Sequence, residues 1–158
     1  MGKSFSIGGD VGDRGESRTV SLKRNQSSED VIAREADKYR AEGYRELQDG
    51  EEYTVLIQYR VDGWGTAEDL DKRHEIEQLL NEVLGWTGNG NCDGGDIGSG
   101  TMNVCCLVVN PYLASQAIVE ELRKSNHLEG AVIALEREDS FEVLHPQAHD
   151  TKFAYWYE

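Results

Sequence analysis

The sequence predicts an α+β fold on three observations. Residues 52–61 alternate, with Tyr53, Val55, Ile57, Tyr59 and Val61 on one face of a strand and polar Thr54, Gln58 and Arg60 on the other. Two stretches, 66–84 and 111–122, repeat apolar residues at helical spacing. Between them, residues 86–100 hold six glycines and lead straight into an apolar run at 102–109. Glycine is costly to order and has nothing to pack, so this many beside a strand imply a built turn or bulge.

The elements follow in order. The first 17 residues mix Gly, Ser, Asp and Arg, with one short alternation at Phe5 and Ile7, and read as a flexible N-terminus or a weak edge strand. Residues 18–24 alternate around Val20 and Leu22 and read as a strand. Ser27 with Asp30 three residues on is a capping pair for a helix that places Ile32, Ala36 and Tyr39 on its apolar side and stops at Gly43. Residues 44–47 return as a short strand into the turn Asp49-Gly50. After the strand at 52–61, Thr66 caps a long helix through Leu84 with Ile76, Leu79, Leu80, Val83 and Leu84 as its buried stripe. The run 102–109 is apolar on both faces, as a central strand is. Asn110-Pro111 starts the next helix, whose buried side is Leu113, Ala114, Ala117, Ile118 and Leu122. Residues 131–135 give a further strand, and residues 141–144 and 153–157 add edge pieces. A single domain over 18–158 results: a strand–helix unit at 18–50, a core at 51–138 and a C-terminal edge segment at 139–158.

At 158 residues the chain has length enough to bury a core without staples. No apolar run approaches the roughly 18 to 20 residues that cross a bilayer, and the N-terminal stretch has no apolar signal core, so a cytoplasmic protein without membrane contact is expected. Cys92, Cys105 and Cys106 are odd in number, and the last two point to opposite faces of a strand. A disulfide framework is not expected, and Cys105 and Cys106 read as small buried hydrophobes.

Charge is distributed unevenly. The net charge is −14, yet residues 1–50 carry nine basic and ten acidic groups while residues 51–158 carry seven against twenty. From His74 to Leu122 there is no Lys or Arg. On the helical wheel Glu68, Asp71, Glu75 and Glu82 share the face opposite the apolar stripe, with Lys72 and Arg73 at its flanks. Such a surface repels nucleic acid, anionic lipid and phosphorylated ligands, and it speeds association with basic partners.

Known chemistries each miss a part. Asn89, Asn91, Asp93 and Gly94 match the first half of a calcium loop, but its twelfth position, where a bidentate Glu belongs, is Gly100. His74 and Glu75 begin a zinc-protease pattern that ends on Gln78 where the second His is needed. His145 and His149 are four apart with Pro146 between them at the start of a loop, so presentation from one helix turn is unsupported; together with Asp150 they leave a loop-borne metal site as the weaker alternative. Ser99 lies between Gly98 and Gly100, but Ile97 and Thr101 occupy the outer glycine positions of a nucleophile turn. No phosphate-binding glycine loop occurs. The sequence therefore assigns no catalytic residue, no metal and no cofactor.

The order strand, helix, strand, strand, helix, strand over residues 52–137 is the split βαβ arrangement of ferredoxin-like folds. The helix end at Leu79, Leu80, Asn81, Glu82, Val83, Leu84 and Gly85, the Asp-Gly-rich hairpin from Gly90 to Asn103, and Asn110-Pro111 before the second helix resemble a group of small acidic bacterial proteins of unassigned function. More loosely, the chain resembles ribonuclease regulators and toxin-neutralising immunity proteins of the same fold class. The acidic helix face, the lack of Lys or Arg from His74 to Leu122 and the missing catalytic motifs point to an acidic module that covers a basic surface of another protein, such as the active cleft of a nuclease toxin or another cationic enzyme. The partner-binding residues on this reading are Glu68, Asp71, Glu75 and Glu82, with Asp93 and Asp96 on the adjoining hairpin and Trp64, between Gly63 and Gly65, as an apolar anchor. The alternative is a regulatory domain, dimeric as such modules often are, that takes a small molecule or cation on the open sheet face or at the glycine hairpin.

Overall fold

The computed structural model describes residues 2–7, 9–147 and 153. In chain order the elements are β1 (Gly2–Ile7), β2 (Glu16–Ser21), α1 (Ser28–Ala41), β3 (Tyr53–Arg60), α2 (Ala67–Trp86), β4 (Gly90–Gly98), β5 (Thr101–Val108), α3 (Pro111–Lys124), β6 (Val132–Arg137) and β7 (Ser140–His145). The fold is α+β, with a five-stranded sheet in the order β4-β5-β3-β6-β7 whose neighbours are all antiparallel. Strand β7, the edge piece expected at residues 141–144, adds a fifth member beyond β6.

Local chemistry sets the helix starts where the sequence puts them. The Thr66 hydroxyl accepts from the Asp69 amide at 3.2 Å, and the Asp69 carboxylate accepts from the Thr66 amide at 2.8 Å. Ser27 and Asp30 make the same reciprocal pair ahead of α1. Asn110 caps α3 through the Leu113 amide, with Pro111 in the first turn, where a missing N–H costs nothing.

Helices α2 and α3 cover one face of the sheet. Ile76, Leu80 and Leu84 of α2 and Ala114, Ile118 and Leu122 of α3 close over Val55, Ile57, Val104 and Ile133, all excluded from solvent. Each such aliphatic chain contributes about 1.5–3 kcal/mol on burial, so this layer dominates stability. The opposite face carries a smaller apolar cluster of Leu56, Ala134 and Phe153, with Phe141 tilted against Phe153 at 4.9 Å. Of the edge piece expected at 153–157, only Phe153 is described, and it is buried outside any strand; residues 154–157 lie outside the described residues.

Four expectations need correction. Residues 44–47 form no strand; a turn there is tied by the Arg45–Glu51 ion pair. In α1 the buried position is Val31, while Ile32 is 56% exposed. Tyr53, at the margin of the sheet, is exposed and lies outside the core its alternation pointed to. Leu113, expected on the buried side of α3, is 38% exposed. Within the first 17 residues the strand alternative holds, β1 pairing antiparallel with β2 in a two-stranded sheet separate from the main one. The loop after β1 instead meets the far end of α2. Gly12 and Gly15 donate to the carbonyls of Thr87 and Trp86, and the Arg14 guanidinium sits 5.5 Å from the Trp86 ring.

Candidate functional site

The acidic face of α2 forms as its spacing requires. Glu68, Asp71, Glu75 and Glu82 are all exposed on the side away from Ile76, Leu80 and Leu84. The flanking cations are engaged elsewhere. Lys72 Nζ lies 4.0 Å from the Tyr59 ring centre, and Arg73 pairs with Glu77 at 2.8 Å. Three bases of the amino-terminal third pair locally, Lys38 with Glu35, Arg40 with Asp37 and Glu46, and Arg45 with Glu51. Among the described residues no Lys or Arg pairs with Glu68, Asp71, Glu75 or Glu82; the His127 imidazole lies beside the face, its Nε2 3.3 Å from Glu75. The patch therefore keeps its negative charge.

Asp93 and Asp96 do not join it. Between Cys92 and Gly95, strand β4 carries one extra residue relative to β5, and Gly94 takes φ +99 to accommodate it. That insertion reverses which side each later residue faces. Asp96 consequently stands beside Asn103 on the sheet face opposite α2, accepting from Asn103 Nδ2 at 2.7 Å. The Cys105 thiol on the same face is pushed up to about 11 by burial, with the charges of Asp93 and Asp96 among the lesser causes. The six carboxylates divide into a helix group of four and a hairpin group of two.

Trp64 belongs with the hairpin group. The loop that carries it is stitched to the β4–β5 turn, Val61 donating to the Gly100 carbonyl at 3.0 Å and Gly100 to the Gly63 carbonyl at 2.8 Å. Ser99 and Gly100 both have positive φ, the two-residue turn whose twist matches a hairpin, so Ser99 is a turn residue. The Trp64 ring lies against the bare backbone of Gly98, yet 78% of the residue is exposed. Together with Asp96, Ile97, Ser99, Thr101 and Asn103 it lines an open cleft of about 260 Å³.

The floor of that cleft is a polar ladder the sequence reading did not single out. Gln58 Nε2 donates to Asn103 Oδ1 at 2.9 Å, and Asn103 passes its own amide hydrogens to Asp96 and Thr101. Asn103 is only 3% exposed and is fully partnered as an acceptor and twice a donor, so it is a rigid element of the site. A polar residue inside the otherwise apolar run 102–109 was the available signal.

Other candidate chemistries find no geometry. Asn89, the first residue of the calcium-loop pattern, is buried and spends its carboxamide on the Asn110 backbone. No group of three or more His, Cys, Asp or Glu side chains converges as a metal site among the described residues. His145 is described on β7, whereas His149 and Asp150 lie outside the described residues. No helix among the described residues is long and apolar enough to cross a membrane. Comparison with protein-family models, curated proteins and solved structures returns no match.

Proposed function

We propose that this chain is an acidic protein-binding module that covers a basic surface of a partner protein, in the manner of an inhibitor or immunity protein, and that it works in the cytoplasm. The observation that carries the reading is the exposed helix face of Glu68, Asp71, Glu75 and Glu82, none of which is paired to a Lys or Arg among the described residues. Trp64, two residues before the cap of that helix and 78% exposed, is the candidate aromatic anchor, its ring set beside Asp96 of the hairpin group. Charge of this kind raises association rate and specificity, and a desolvated anchor supplies affinity. Support for a ferredoxin-like core comes from the four neighbours β4-β5-β3-β6, with α2 joining β3 to β4 and α3 joining β5 to β6, extended at one edge by β7.

The test is amide chemical-shift mapping with an Arg/Lys-rich model peptide at low and high salt. Shifts are expected on α2 and at Trp64, weakening as salt rises. D71K with E75K is expected to reduce both binding and its salt dependence, and W64A to reduce affinity while moving stability by less than about 0.5 kcal/mol. Shifts spread evenly over the protein would dismiss the reading.

A second reading, a small-molecule site, is favoured by the Trp64 cleft with its polar floor. A concentration-dependent rise in Tm with a metabolite or metal salt, lost in W64A, would select it over the protein partner.

A further inference from the structure

We propose that Cys92 and Cys106 are an oxidisable pair that closes into a disulfide between the edge strand β4 and its neighbour β5 when the protein meets a peroxide. This inference does not depend on the partner-binding reading above.

Three observations carry it. Cys92 and Cys106 are direct partners in the β4–β5 register, and their sulfurs lie 2.9 Å apart. A disulfide bond is about 2.05 Å long, so closure asks for a movement of only about 0.9 Å. The Cys92 amide donates to Asn81 Oδ1 of α2 at 2.8 Å, turned away from β5. The pair is thereby of the non-hydrogen-bonded kind, in which facing side chains of antiparallel strands approach closest. Finally, access is asymmetric: Cys106 is fully buried, whereas Cys92 is half-buried and reachable by a small oxidant. The third thiol, Cys105, points to the opposite face and has no such partner.

The step balances with peroxide as the oxidant. The Cys92 thiolate sulfur attacks one peroxide oxygen, the O–O bond breaks, and sulfenic acid and hydroxide form; the hydroxide takes the proton that the thiol gave up and becomes water. The Cys106 sulfur then attacks the Cys92 sulfur, the S–O bond breaks, and the departing hydroxide leaves with the Cys106 proton as a second water. Two thiols are oxidised and one peroxide is reduced to two waters. The Cys92 contact and burial hold the Cys106 thiol well above its ordinary value, so Cys106 stays protonated in its buried position and the first attack falls to the accessible Cys92.

The experiment treats the full native chain with hydrogen peroxide and follows free thiols, intact mass and peptide maps. The expected result is a fall from three thiols to one, a mass loss of two hydrogens, a Cys92–Cys106 cross-linked peptide and a higher Tm, all reversed by a reductant. C105S is expected to form the same bond, and C92S, changed at the half-buried partner, to lose none of its two thiols to cross-linking. Peroxide treatment in urea is expected to scramble or abolish the pairing, since the fold brings the sulfurs together. Three surviving thiols, a Cys92 carried to sulfinic acid without a cross-link, or bonds only between molecules would overturn the proposal. Should C92S not fold, peptide mapping of the unaltered chain alone decides it.

Discussion

The carboxamide of Asn89 holds the backbone of Asn110 from both sides. Its Nδ2 donates to the Asn110 carbonyl at 3.0 Å, and its Oδ1 accepts from the Asn110 amide at 2.8 Å. Asn89, 1% exposed, thus acts as a short extra strand that joins the exit of α2 to the start of α3.

Asn89→Ala removes both bonds; the Asn110 carbonyl keeps the Ala114 amide at 2.9 Å, but the Asn110 amide loses its partner, at a cost of about 1–3 kcal/mol. In a domain of this size the expected fall in Tm is roughly 2–12 °C. Asn89→Asp keeps the acceptor but loses the donor and buries a charge, so it is expected to be no better than alanine. A thermal scan of the two variants checks this, and an unchanged Tm in either would refute the clasp.

The bulge in β4 predicts an inversion of the usual order of glycine costs. A Cβ on Gly95 would stand 2.1 Å from the Asn103 carbonyl oxygen, a backbone atom that cannot move aside, whereas Gly94 has φ +99 and open space around it. Gly94→Ala meets backbone strain alone, about 1–2 kcal/mol. Gly95→Ala must push β4 from β5 and is expected to cost at least about 2 kcal/mol, with the Asn103 and Val104 amide resonances displaced. Urea unfolding of both variants tests the order.

The Arg45–Glu51 pair predicts a specific response to acid. The guanidinium grips both carboxylate oxygens at 2.6 Å, and the Gln48 amide adds a third bond at 2.8 Å. These contacts, the Arg45 hydrogen bonds first, lower the Glu51 carboxyl to about 2. Because the folded value lies below the unfolded one, the turn's stabilisation is present above the ordinary glutamate range and is lost as pH falls toward 2. Carboxyl NMR titration is expected to find Glu51 titrating well below the other glutamates. In Arg45→Gln it is expected to return toward the ordinary range; no change there would assign the shift to something other than Arg45.

How far the sequence was legible depends on how each element encodes direction. Thr66 with Asp69, and Asn110 with Pro111, are local signals, and both helices begin where those residues stand. A helix converts spacing into a face with a fixed period, so the side taken by Glu68, Asp71, Glu75 and Glu82 followed from the sequence once the helix was granted. A strand has period two, and one inserted residue inverts it. Counting from Cys92 without the bulge sends Asp96 toward α2, and the extra residue sends it to Asn103 instead. The polar ladder through Gln58 and Asn103 was hidden for a different reason. Those residues are 45 positions apart, and only the pairing of β3 with β5 brings them together.

The stitching of the Trp64 loop to the β4–β5 turn gives the indole a mechanical role. Val61, Gly63 and Gly100 are bound to one another at the place where β3 ends, α2 begins and the hairpin reverses. Whatever tugs on that ring loads all three at once, so a ligand seated on Trp64 pulls on the whole corner of the molecule.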